Sequence, residues 1–326
     1  MKVLVVGGAG YIGSHTALAL VRRGHEVVVF DNLSTGNEAA IPVEATFVAG
    51  DLLNKTDIDN VLQAHTFDIV MHFAAKLIVP ESVEQPIRYF ENNVHGVALL
   101  LESMREHGLK NFIFSSTAAV YGEPTDGAVI TEDTPTNPIN PYGASKRAAE
   151  DLIRATDEAY DMKHVIFRYF NVAGADASGE IGLSPKNPPT HLIPVINETL
   201  LGIRQETKVF GTDYPSADGT CVRDYIHITD LAQAHVLGAE YLLETNKSAT
   251  MNLGTHTGYS VMSIIAAAEK EIGQPVTYTV SPRRAGDPAM LVASNALAKE
   301  LLGWEPSRTV EEMIRSDYEW RANPKY

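Results

Sequence analysis

The segment Gly7-Gly8-Ala9-Gly10-Tyr11-Ile12-Gly13 stands between the apolar run Val3–Val6 and a helical pattern over Tyr11–Arg23 that turns Ile12, Ala17, Leu20 and Val21 inward. Glycines this close together at a strand-to-helix junction allow a tight turn and a near approach of backbone to backbone or to ligand. The alternation continues. Glu26–Phe30, Thr46–Val48, Asp68–Phe73, Asn111–Ser115 and His164–Tyr169 read as strands, with long helices at about 83–107 and 142–160. Strands and helices in this order require right-handed crossovers and a parallel sheet covered on both faces, hence a doubly wound α/β fold. Beyond Asn171 the order loosens. Residues 174–190 read as a surface loop, followed by short segments at Val209–Phe210, Tyr225–Ile228 and Val276–Val280 and a helix at Met262–Ile272. A boundary near residue 172 therefore divides a domain at 1–171 from a smaller one at 172–326, and later segments are free to return to the first.

In a sheet of this Rossmann-like kind the first turn faces a dinucleotide. Gly7 would permit the turn, Gly10 would let the backbone approach a pyrophosphate, and Gly13 would let helix and strand pack closely. The helix N-terminus adds free N–H groups and partial positive charge. Asp31 lies at the end of the second strand, eighteen residues beyond Gly13. A carboxylate there accepts hydrogen bonds from ribose hydroxyls and repels a 2′-phosphate, so NAD is favoured over NADP. Asp51, after the third strand, is placed to meet the adenine edge.

A formal net charge of −15 argues against nonspecific binding to nucleic acid or to an anionic membrane. One cysteine, Cys221, rules out an internal disulfide framework and a thiolate metal site, and suits a reducing compartment. No apolar run approaches the ~20 residues of a membrane span, and the opening strand leaves no room for a signal peptide. A cytoplasmic protein without a metal is the expectation.

Tyr142 and Lys146 form Tyr-x-x-x-Lys, which sets both side chains on one helix face. A phenol titrates near ~10, so to act as a base near neutrality it needs a neighbouring cation or hydrogen-bond donor. Ser115-Ser116-Thr117 ends a strand at the sheet edge where ligands of such folds bind, so Thr117 can orient a substrate hydroxyl or the phenol oxygen.

The set Gly7–Gly13, Asp31-Asn32-Leu33, His72-Phe73-Ala74-Ala75, Ser115-Ser116-Thr117, Tyr142–Lys146 and Tyr169-Phe170-Asn171 resembles the extended short-chain dehydrogenase/reductase family. Val172–Ala175, Val222-Arg223-Asp224-Tyr225-Ile226-His227 and Arg283–Asp287 narrow the likeness, over nearly the whole chain, to the branch that epimerises UDP-hexoses at C4. The resemblance implies interconversion of UDP-galactose and UDP-glucose through a 4-keto sugar. Tyr142 would be the base, Lys146 would hold the nicotinamide ribose and lower the Tyr142 pKa, and Thr117 would bind the C4 oxygen. It implies NAD contacts by Gly7, Gly10, Tyr11, Ile12, Gly13, Asp31, Asn32, Asp51, Leu52, Phe73, Ala74, Ala75, Asn92, Ser115, Tyr142, Lys146 and Tyr169. The UDP-sugar would meet Thr117, Tyr142, Asn171, His191, Leu192, Val209, Phe210, Arg223, Tyr225, Arg284 and Asp287. The two long helices match those that pair in family homodimers.

The chain departs from the family pattern at three places. Lys76 stands one place before the usual lysine, where this chain has Leu77, and His191 replaces a frequent asparagine. Leu291 falls at the position gating the space beside the sugar, so N-acetylated substrates stay open, as do uronic acids. A 4,6-dehydratase would need an acid and a base after Thr117, where Ala118-Ala119 stand. A non-catalytic NAD sensor would have no use for Tyr142, Lys146 and Thr117 together.

Overall fold

The structure, a computed structural model, describes residues 1–123, 129–186, 188–284 and 288–326. Six strands from the first half build most of one sheet: β1 (Lys2–Val6), β2 (Glu26–Asp31), β3 (Thr46–Ala49), β4 (Ile69–His72), β5 (Asn111–Ser115) and β6 (Lys163–Tyr169). The helices of this half are α1 (Tyr11–Arg22), α2 (Lys55–Ala64), α3 (Val79–Glu84), α4 (Pro86–Phe90), α5 (Gly96–Glu106) and α6 (Pro141–Tyr160). The second half contributes β7 (Asn171–Ala173), β8 (Thr207–Phe210), β9 (Val222–His227), β10 (Ala249–Leu253), β11 (Gly258–Ser260), β12 (Tyr278–Ser281) and β13 (Met290–Leu291). Its helices are α7 (Leu192–Leu200), α8 (Ile228–Thr245), α9 (Val261–Ile272), α10 (Ala296–Leu302) and α11 (Val310–Ala322).

The large sheet has the order β10-β6-β5-β4-β1-β2-β3 and is parallel throughout. Alternation along β1 explains how both faces are covered. Val3 and Val5 belong to a core shared with Ala17 and Leu20 of α1 and with Leu231 and Leu242 of α8. Leu4 and Val6 face Val61 of α2, Leu100 of α5 and Ile153 of α6. The chain passes from β1 to β2 on one side and later to β4 on the other. A crevice therefore opens at the carboxyl ends of β1 and β4, the place where such sheets bind ligands.

β10 and α8 return to this sheet from beyond residue 172: β10 pairs with β6, and α8 packs on α1. The remaining strands form two smaller sheets over their own core of Ile193, Ile196, Tyr225, Ile264 and Ile314. In one, β9 pairs with β7, β11 and β13; in the other, β8 pairs with β12.

The long helix expected over 83–107 is divided. Gln85 leaves the helical region (φ −130°, ψ 56°) because Pro86 crowds the residue before it, and the chain restarts as α4. A π-helical turn at Glu91–His95 then joins α4 to α5. Such turns insert one residue and are frequent at functional sites.

Candidate active site

Gly7 adopts φ +77°, and a Cβ there would strike the Ala74 backbone nitrogen and Cα, so the turns after β1 and β4 touch without side chains between them. Gly13 packs against the Gly7 carbonyl, which seats α1 on its own loop. Gly10, the N-cap of α1, has no side-chain cap and no acid in the first helical turn, leaving the helix N-terminus free for an anion. Asp31 is nearly buried. Its carboxylate accepts from Ala9 N (3.0 Å) and Leu33 N (2.8 Å), tying the glycine turn to the end of β2 while each oxygen keeps a second lone pair. An uncapped helix end, a side-chain-free crevice and a strand-end carboxylate fit a dinucleotide such as NAD.

Around this cradle the other residues expected at the cofactor divide by what their side chains do. Asn32 donates to the Asp51 carboxylate at 3.2 Å, and Asp51 also accepts from Leu53 N at 2.8 Å. Phe73, Ala74 and Ala75 line the end of β4 and remain partly exposed, as does Asn92. Ser115 and Tyr169 share a hydrogen bond between their hydroxyls. Tyr11 turns its hydroxyl to the Gly174 carbonyl (2.5 Å), Ile12 packs against the core, and Leu52 is buried beneath Gly96. All three side chains are engaged within the protein itself, which the glycine pattern alone could not reveal.

Helix α6 is set by its first turn. Asn140 caps α6 by accepting from Gly143 N at 2.8 Å, and Pro141 occupies the first position, where no N–H is needed. Gly143 rests on the Ala119 carbonyl, where a Cβ would lie 2.5 Å away. This seat brings the Tyr142 phenol beside the Thr117 hydroxyl, which favours the phenolate. Burial raises the Tyr142 phenol above its usual pKa, and the neighbouring Thr117 hydroxyl pulls it back in part. Lys146 is buried with its Nζ 4.1 Å from the Phe114 ring centre; burial pushes it down to about 7 against the raising influence of Glu150.

Two groups not singled out from the sequence stand beside this centre. Asn93, buried in the π turn, accepts from Lys76 N (2.9 Å) and donates to Lys76 O (3.0 Å) and Ser145 Oγ (3.0 Å). Glu150 lies one turn beyond Lys146 with no exposed surface and holds Ser116, Arg154 and Arg168. Spacing on α6 could have flagged Glu150, because 142, 146 and 150 share a face.

On the far side of the cleft, Asn171 of β7 donates to Asp224 O at 3.1 Å and lies in register with Tyr225. Arg223 lies in register with Leu291. His191 caps α7 half-buried, with its imidazole pKa lowered by burial, and Leu192 follows it. Val209 and Tyr225 are buried in the small core, whereas Phe210 is partly open. The Arg284 guanidinium lies 3.8 Å from the Phe210 ring centre. Asp287 lies outside the described residues. Among the described residues no group of acids, histidines or cysteines is placed to hold a metal, and no helix is long and apolar enough to cross a membrane.

A family model described as GDP-mannose 4,6 dehydratase matches residues 4–316. The chain is 46% identical over 321 residues to the UDP-glucose 4-epimerase of Halalkalibacterium halodurans, covering 98% of this chain and 95% of that one. Among solved structures it is similar to the Stenotrophomonas maltophila UDP-glucose 4-epimerase with bound NAD and formylated UDP-arabinopyranose. There the TM-score is 0.95 and the identity 39%, over 99% of this chain and 98% of that one. The Bifidobacterium longum UDP-glucose 4-epimerase in complex with NAD+ and UDP aligns with TM-score 0.94 and 38% identity, over 99% of both chains. The glycine cradle, the Thr117–Tyr142–Lys146 centre and full-length likeness to these enzymes place the chain in the UDP-glucose 4-epimerase family, a branch of the extended short-chain dehydrogenases/reductases.

Proposed function

We propose that the chain interconverts UDP-galactose and UDP-glucose by inverting C4 through a transient 4-keto sugar. The observation that carries this reading is Tyr142 seated beside Thr117 by the Gly143–Ala119 contact, with buried Lys146 one turn further along α6. The glycine cradle and Asp31 would hold NAD, which would supply the hydride acceptor and donor. Tyr142 takes the proton of the C4 hydroxyl and later returns it to the C4 oxygen, while Thr117 orients that oxygen. Lys146 would hold the nicotinamide ribose. Ala118 and Ala119 bear no proton-transferring group, which disfavours dehydration at C5 and C6.

The UDP moiety falls to Asn171, His191, Leu192, Val209, Phe210, Arg223, Tyr225, Arg284 and Asp287, with the arginines suited to the pyrophosphate. NAD binding is assigned mainly to residues 1–171 and the nucleotide sugar mainly to 172–326, with β10 and α8 serving the first. Two subunits pair through α5 and α6, where Leu99, Glu102, Arg105, Leu152, Thr156 and Tyr160 line an open groove. The lone, buried Cys221 suits the cytoplasm.

Tyr142→Phe tests the chemistry. Epimerisation should fall ~10²–10⁴-fold with NAD still bound, the range general acid–base groups supply. Unchanged turnover would remove Tyr142 from its role.

A further inference from the structure

We propose that Glu150 is a positioning residue that fixes the Thr117 hydroxyl against Tyr142 by clamping both ends of the segment containing Thr117. The inference rests on the epimerase reading of the site. Glu150 Oε1 accepts from Ser116 Oγ at 2.6 Å and from Arg168 Nε at 3.0 Å. Its Oε2 accepts from Arg154 Nη2 at 2.8 Å and Arg168 Nη2 at 2.5 Å. Arg168 also donates from Nη1 to the Tyr121 hydroxyl at 2.9 Å, and Tyr121 donates onward to Asn252 Oδ1 on β10 at 2.7 Å.

Ser116 immediately precedes Thr117, and Tyr121 ends the 3-10 turn Ala118–Tyr121 that Thr117 caps. The same carboxylate–guanidinium pair therefore holds the segment on both sides of the reacting hydroxyl. Its base is α6, which also carries Tyr142. Ser116 is further fixed by its backbone N–H, which donates to Phe167 O at 2.7 Å.

A buried ion pair is poor value as a stabiliser, since desolvating both partners offsets most of their attraction. Two guanidiniums already balance the Glu150 charge. What the pair supplies is a fixed distance between strand end and helix, the kind of placement on which reacting groups depend.

Ser116→Ala removes one tie and leaves the ion pair standing. With UDP-galactose, kcat should fall about ten-fold with KM, bound NAD and melting temperature little changed, since small misplacements of reacting groups cost rate. If Ser116 acts through Thr117, Ser116→Ala/Thr117→Ala should be no slower than Thr117→Ala alone. Wild-type kcat in Ser116→Ala, or losses that multiply in the double variant, would overturn the proposal. A crystal structure of Ser116→Ala should show the Thr117 hydroxyl displaced from Tyr142; an unmoved Thr117 overturns it as well. Should the wild-type protein fail to act on UDP-galactose, the activity reading falls by itself and the displacement of Thr117 decides the positioning role.

Discussion

Burial drives Tyr142 and Lys146 toward their neutral forms, raising one pKa and lowering the other. Thr117 is the side chain that opposes this at Tyr142. A base must be deprotonated, so loss of the Thr117 hydroxyl raises the Tyr142 pKa and moves the rising limb of kcat/KM to higher pH. Thr117→Ala should show that alkaline shift along with slower turnover; an unshifted limb in a slower variant would confine Thr117 to holding substrate. Leu291 is argued at the same scale. It lies in register with Arg223 and packs near Ala118, Val120 and Tyr121, just beyond Thr117. Wild-type protein should use UDP-galactose ahead of UDP-N-acetylgalactosamine, and Leu291→Tyr should widen the gap ~10-fold or more, as steric fit in a pocket allows. Equal efficiencies in the wild type would contradict a gate at Leu291. Tyr142 and Lys146 stand out in the sequence as candidates because their spacing is set along one helix, and Asp31 and Thr117 because each stands where a strand ends. The Ser116–Glu150–Arg168 contacts do not, since they join strands and a helix far apart in the chain. Side-chain direction was equally hidden: nothing in the glycine motif says that Tyr11 reaches to Gly174.

At the level of elements, the first turn of α6 does the placing. Asn140, Pro141 and Gly143 together decide where Tyr142 stands, and their local signals are readable as a helix start. The division of the expected 83–107 helix was half-readable: Pro86 announces the break, but the π turn around Asn92 and Asn93 depends on the tertiary bonds from Asn93 to Lys76 and Ser145. The outer faces of α5 and α6 leave Leu99 and Leu152 partly open and Tyr160 51% exposed, with the Arg105 guanidinium 5.5 Å from the Tyr160 ring centre. If this face pairs two subunits, Leu152→Asp should convert a dimer to a monomer in light scattering, because a buried unpaired carboxylate costs several kcal/mol. A wild-type protein that is monomeric at micromolar concentration, or a variant that stays dimeric, would contradict pairing through this face.

For the molecule as a whole, β10 and α8 bind the two halves of the chain into one core, a return that alternating strands and helices allow without showing which segment makes it. Burial also sets the response to acid. His15, His164 and His235 are each pushed down to about 4 and His72 to about 3. They fold neutral, so between their unfolded value near ~6.5 and pH 4 the unfolded chain binds more protons, and stability falls as pH falls, by up to ~1.4 kcal/mol per pH unit for each. Asp224, raised to about 6 by burial, and Asp317, raised likewise, work in the opposite sense and offset part of the loss. The melting temperature should therefore drop from pH 7.5 to 5; a rise over that range would show that the buried carboxylates dominate. The most direct test of the activity is a proton NMR time course of UDP-galactose with the purified protein, first without and then with added NAD. UDP-glucose signals growing to a constant mixture are expected. No change in the spectrum, even with NAD present, would contradict C4 epimerisation of this substrate.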